Sequence, residues 1–195
     1  ISSASHKEGL RGYGTSSFIY SNGATRGSSE YQKTLHDRLV NEIRKNYKSD
    51  WKDRGKKEAN FGELRLLKSM PGMLVELAFH DTEDPDGKAL CSPLFRDIAA
   101  RGIMKGMIDY LNPASLAYPP LAPKLKRVFE GQEDSEICLE FNINEDKSDT
   151  KKSSPNSIEI YSSPYSLWQG KLVKEVKLSE NQNNICFKNK SFNQP

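Results

Sequence analysis

No stretch of this 195-residue sequence is apolar for long enough to cross a bilayer as a helix, which takes about 20 predominantly apolar residues. Hydrophobic residues are scarce at 35%, against 28% charged, the balance of a well-solvated chain. An excess of one charge is missing too. The formal net charge is +3, and Lys and Arg are interleaved with Asp and Glu, so no basic stripe marks a nucleic-acid surface. Cysteine is rare and odd in number. Cys91, Cys138 and Cys186 lie far apart with no Cys-x-x-Cys pair, which removes the usual structural zinc signature. Cys138 and Cys186 can pair if their segments are adjacent strands; buried free thiols are the alternative. The opening Ile1-Ser2-Ser3-Ala4 has neither the charged nor the apolar region of a secretory leader, and a start without Met is expected of a processed or truncated chain. At this length there is room for one domain with a good core, or one and a half.

What is present divides near "LNPASLAYPPLAPKL", where Pro113, Pro119, Pro120 and Pro123 stop a helix and stiffen a linker. Before it, strand-like and helix-like segments alternate. Tyr13 to Tyr20 reads as a strand after a Gly-rich turn. Ser29, with Gln32 three residues on, has the spacing of a capping box, and Tyr31, Leu35, Leu39, Ile43 and Tyr47 form an i, i+4 apolar stripe. "WKDRGKKEANFGELRLLKSM" reads as a loop leading to a short helix from about Phe61. Ser92-Pro93 supplies an N-cap and a first-turn proline for a helix to about Leu111, with Leu94, Ile98, Ile103 and Met107 inward. Gly102 and Gly106 would let it approach a sheet. This is an α/β layer pattern. After the linker come "LKRVFEG", "EICLEFNIN", "SIEIYSS", "GKLVKEVKL" and "NICFKNKSF", alternating segments at roughly ten-residue spacing, as in a small antiparallel sandwich. The expected organisation is an α/β domain with flanking helices over residues 1–112, a Pro-rich linker over 113–123, and a small all-β sandwich over 124–195.

One residue breaks the pattern of its surroundings. Glu76 stands inside Met73-Leu74-Val75-Glu76-Leu77-Ala78-Phe79, an apolar run that predicts a fully buried strand of a parallel or mixed sheet. A carboxylate there must be neutral, paired or beside a cation. Three readings are open: a strand-end Glu paired with Lys or Arg, a metal-assisted general base at the end of a strand, or a strand more exposed than its composition suggests.

"SMPGMLVELAFHDTEDPDGKALCSPLFRDIAARGIMKGMIDYL" resembles the last strand and helix of the zinc-dependent N-acetylmuramoyl-L-alanine amidases. Pro71, Leu74, Val75, Glu76, Ala78 and Phe79 fit their Pro-x-x-Leu-Val-Glu-x-(Gly/Ala)-Phe run, and Asp53-Arg54-Gly55 fits their Asp-Arg-Gly turn. The resemblance spans about Gly12 to Asn112. It implies a zinc ion held by two His and one Glu with an open water position, and Glu76 as the base that moves a proton from water to the leaving L-alanine nitrogen. Partial burial raising the pKa of Glu76 would suit that role. The substrate implied is peptidoglycan, and the location implied is the periplasm or the cell exterior. His6 in "SASHKEG" has the serine offset of the third zinc ligand, although Lys7-Glu8 depart from the family's pattern. The other ligands would precede Ile1, so the catalytic domain is expected to be partial. His36 beside the helix stripe reads as a core or boundary histidine. His80 either orients substrate or caps its loop with Asp81, and Glu58 and Glu63 read as solvated.

The segment from Pro123 onward is similar to the first strands of a fibronectin type III module, again cut short. Two functions are compatible with these residues. One is a cell-wall hydrolase with an accessory β-sandwich. The other is a non-catalytic envelope protein whose amidase scaffold binds peptidoglycan or a protein partner.

Overall fold

The computed structural model describes residues 12–115, 117–143, 155–162, 170–179 and 182–188. The chain divides into two compact units, Ile1–Ser115 and Leu116–Pro195.

Among its described residues the first unit is built on three strands, β1 (Thr15–Tyr20), β2 (Asp53–Ala59) and β3 (Leu74–Glu76). They form a mixed sheet in the order β2-β1-β3, with β2 parallel and β3 antiparallel to β1. Four helices accompany them: α1 (Ser28–Asn46), α2 (Gly62–Arg65), α3 (Lys88–Cys91) and α4 (Pro93–Leu111). Within α1 the i, i+4 stripe behaves as its spacing predicts. Leu35, Leu39 and Ile43 are buried, and Leu39 and Ile43 join Trp51, Ala78, Ala89, Phe95, Ile98 and Ala99 in one core. No side chain caps α1. Gly27 takes the N-cap position in the left-handed region, and Gln32 reaches instead to the carbonyls of Ser17 and Lys57, at 3.0 Å each, stitching the helix to β1 and β2. The capping box expected from Ser29 and Gln32 is therefore not formed.

Three further expectations are corrected. The segment at Asp53 is a strand, not a loop, although its only apolar side chain is Ala59. β3 is short, stands at the edge of the sheet among the described residues, and is half-buried rather than fully buried. In α4, Ser92 does cap the first turn by accepting from the Phe95 amide, but the inward face is displaced. Leu94 and Met107 are exposed, while Phe95, Ile98, Ala99, Gly102, Lys105 and Gly106 are buried. Gly102 and Gly106 face α1, not the sheet. A Cβ at Gly106 would stand 2.7 Å from the Leu35 Cα, so the glycine sets the distance between the two helices. Lys105 enters the same seam and pairs with Glu42 at 3.0 Å.

Among its described residues the second unit is all β and antiparallel. β4 (Lys124–Glu130), β5 (Glu136–Asn142) and β8 (Asn184–Lys188) form one sheet, and β6 (Ser157–Ser162) and β7 (Lys171–Lys177) a second. Phe141, Ile185 and Phe187 of the first sheet share an apolar cluster with Ile158, Ile160 and Val176 of the second, which makes the pair a small sandwich. Cys138 and Cys186 are direct cross-strand partners on β5 and β8 and are joined by a disulfide. Cys91 is free and exposed. Among the described residues no helix is long and apolar enough to cross a membrane.

Candidate active site

Glu76 ends β3 directly opposite Ser16 of β1, so the two side chains share one face of the sheet. Ser16 is fully buried and donates from Oγ to Glu76 Oε2 at 3.3 Å. Around them the backbone is tied closely. Thr15 Oγ1 donates to the Leu77 carbonyl at 2.8 Å and accepts from Trp51 Nε1 at 2.8 Å, so the residue after Glu76 is fixed to the core indole. Gly14 makes the close approach that starts β1 possible: at φ +91°, its Cβ would lie 2.2 Å from the Lys52 carbonyl oxygen.

Beyond Glu76 the chain passes through buried Ala78 and Phe79 and turns back at Glu83–Gly87. Asp86 holds that turn. Its Oδ2 accepts from the Phe79 and Gly14 amides, both at 2.8 Å, while Thr82 Oγ1 donates to the Gly12 carbonyl at 2.7 Å. Two segments far apart in sequence are thereby closed against each other beside Glu76. Burial pushes the Asp86 carboxyl above its ordinary pKa, offset only in part by the two amides and the nearby Arg54 charge. Between Tyr13, Lys52 and Pro85 lies a small cleft of about 240 Å³.

On the other side of β1, Asp53 faces Thr15. Its Oδ1 accepts from the Gly55 amide at 2.6 Å and from His36 Nε2 at 2.8 Å. Burial raises the Asp53 carboxyl, but the His36 and Gly55 hydrogen bonds, with the charges of His36 and Lys56, outweigh it and hold it below its ordinary value. His36 is fully buried, so its role is to tether α1 to the start of β2, as a core histidine. Arg54 follows, its guanidinium 4.8 Å from the Phe79 ring centroid.

Of the residues singled out from sequence, Glu76 lies at the centre of this arrangement. His80 is exposed four positions beyond it. Glu58 and Glu63 are exposed. His6 lies outside the described residues. Ser16, Arg54 and Asp86 were not marked from sequence as site residues. Only the register between β1 and β3 reveals Ser16, and only the fold of the turn reveals Asp86; Arg54 had a signal in the Asp-Arg-Gly motif.

The described residues do not complete a metal site. Among them, the one group of three ligand-type side chains close enough to share an ion is Glu136, Cys138 and Cys186, in the second unit. The sulfurs of that group are already bonded to each other, so it offers no thiolate.

No family model matches the chain. Curated relatives do. The chain is 35% identical over 102 residues to the sporulation-specific N-acetylmuramoyl-L-alanine amidase of Bacillus subtilis (strain 168), covering 52% of this chain and 36% of that protein. It is 32% identical over 107 residues to the N-acetylmuramoyl-L-alanine amidase CwlM of Bacillus licheniformis, covering 55% and 39%. Among solved structures, an N-acetylmuramoyl-L-alanine amidase from Clostridium difficile 630 is 30% identical, with a TM-score of 0.47 over 55% of this chain and 53% of that one. The chain thus spans well under two thirds of the curated relatives' length. Over about half of its own length, it is related in sequence to the N-acetylmuramoyl-L-alanine amidases.

Proposed function

We propose that the chain is part of a peptidoglycan hydrolase that cleaves the amide between N-acetylmuramic acid and L-alanine, with Glu76 as general base. The observation that carries this is the placement of Glu76: a half-buried carboxylate at the end of a short strand, oriented by the hydroxyl of a buried serine. A water attacking the amide carbonyl carbon gives its proton to Glu76, and Glu76 passes that proton to the alanine nitrogen as the C–N bond breaks. Ser16 keeps the carboxylate aimed, and exposed His80 stands on the substrate side. The zinc implied by the resemblance would require His6 and ligands other than the described residues. The second unit serves as an accessory sandwich of fibronectin type III type. Its disulfide supports a location in the periplasm or outside the cell, because such bonds persist in oxidising compartments.

A non-catalytic scaffold that binds peptidoglycan is the second reading, favoured by the lack of a ligand cluster beside Glu76 among the described residues. Digestion of purified sacculi by the zinc-supplemented chain separates the two. Mass spectrometry should find free stem peptides beginning with L-alanine and glycans with intact lactyl groups. Sedimentation with sacculi but no such products would favour the scaffold.

A further inference from the structure

Arg54 carries a guanidinium with no hydrogen bond among the described residues, and its Nε is buried without a partner. Leaving a buried donor unmade is costly, so such a group is expected to be met by an ordered water, an ion or a ligand. Asp86 is close enough to feel the Arg54 charge but does not take its protons. Oδ2 of Asp86 is occupied by the Gly14 and Phe79 amides, and its buried Oδ1 has no hydrogen-bond partner. The Arg54 guanidinium lies over the Phe79 ring, 4.8 Å from its centroid. A planar fork of N–H donors on an aromatic face matches a carboxylate in two-point geometry.

Position gives the ligand. Asp53 lies opposite Thr15 and Glu76 opposite Ser16, on the two strands that flank β1. At about 4.8 Å between strands, the backbones at Arg54 and Glu76 are about 10 Å apart. An extended peptide advances about 3.3 Å per residue. A carboxylate two or three residues beyond an amide held at Glu76 therefore falls near Arg54.

We infer that Arg54 binds a free carboxylate on the peptide side of the scissile amide, and so selects acidic over amidated stem peptides. This rests on the reading of Glu76 as the catalytic base for its direction, but the contact itself does not require turnover. The test is calorimetric titration of the full chain carrying Glu76→Gln with N-acetylmuramoyl-L-alanyl-D-glutamic acid whose γ-carboxyl is blocked as its methylamide, and with the same ligand carrying the isoglutamine α-carboxamide, so that the α-carboxyl is the one carboxylate on the peptide and is missing from the second ligand. The acid should bind about tenfold more tightly, as expected for a charge-assisted pair. Arg54→Gln should abolish the difference and leave amide binding unchanged, while Arg54→Lys should restore part of it. Equal affinity for the two ligands, undetectable binding of both, or equal losses for both in Arg54→Gln would overturn the inference. If Arg54→Gln fails to fold, Arg54→Lys decides: it must reduce the preference for the acid without touching the amide. No sacculus cleavage by the zinc-supplemented parent, with the preference intact in Glu76→Gln, would refute the catalytic reading alone, and cleavage by the parent without the preference would refute this one alone.

Discussion

The buried ion pair between α1 and α4 gives the sharpest stability prediction. Lys105 is 0% exposed and Glu42 5%, with Nζ and Oε1 3.0 Å apart. Glu42 Oε2 accepts from Asn46 at 3.1 Å, so removing the ammonium leaves a carboxylate in the seam held by that amide. Breaking such a pair from one side costs about 3–5 kcal/mol, while replacing both partners with apolar groups is near neutral or stabilising. A domain of this size has only about 5–15 kcal/mol in total. Lys105→Met should therefore remove a large share of the first unit's stability, Glu42→Leu should be comparably damaging, and the double variant should be no more than about 1 kcal/mol less stable than the parent. Urea unfolding followed by Trp51 fluorescence, in a Trp168→Phe background, reads this out because Trp51 is 1% exposed in the same core. With a slope of about 1–3 kcal/mol per M, each single variant should lose at least about 1 M in midpoint. If Lys105→Met costs under about 1 kcal/mol, or the two changes add within about 0.5 kcal/mol, the pair is not the coupled element described.

Other expectations follow from the same packing. Gly106→Ala should destabilise by about 1–2 kcal/mol in urea unfolding, because its Cβ meets Leu35 backbone and α1 must move, whereas Gly102→Ala, at 3.1 Å from the Leu39 Cα, should stay within about 1 kcal/mol of the parent. Asp86 has a raised native pKa, so its contribution should fall as pH climbs from its ordinary 3.8 through the native value. Asp86→Asn should flatten that limb of the stability–pH curve, while Asp86→Ala should destabilise at every pH by orphaning the Gly14 and Phe79 amides. Asp53 has a lowered native pKa and should act oppositely, with stability lost as pH falls below 3.8 through its native value and that loss absent in Asp53→Asn. Reducing Cys138–Cys186, which closes a separation of 48 residues, should cost the second unit about 4 kcal/mol and lower its melting temperature in calorimetry.

The sequence carried some of this plainly and hid the rest for physical reasons. The stripe of α1 was readable because each inward position is large and apolar. The phase of α4 was not, because the seam it buries is made by Gly102, Lys105 and Gly106, while Leu94 and Met107 lie outside. β2 escaped because Asp53–Ala59 is nearly all polar and is held by its pairing to β1, with Lys57 covering the Phe18 ring. Glu76 was conspicuous as the one charge in an apolar run, yet only Leu74–Glu76 of that run is strand and its residues are half-buried, which is how it tolerates the carboxylate. Ser16 and Asp86 are ordinary polar residues in sequence. They become part of the candidate site only through contacts spanning 60 and 72 residues.

The most direct test of the central claim is the rate of stem-peptide release from sacculi by the zinc-supplemented parent and by Glu76→Gln, with bound metal and sacculus binding measured on both. The account predicts release by the parent and a loss of about 10²–10⁴-fold in the variant, the usual worth of a general base, with metal content and binding retained. A parent that releases nothing, or a Glu76→Gln variant within tenfold of it, would contradict the account.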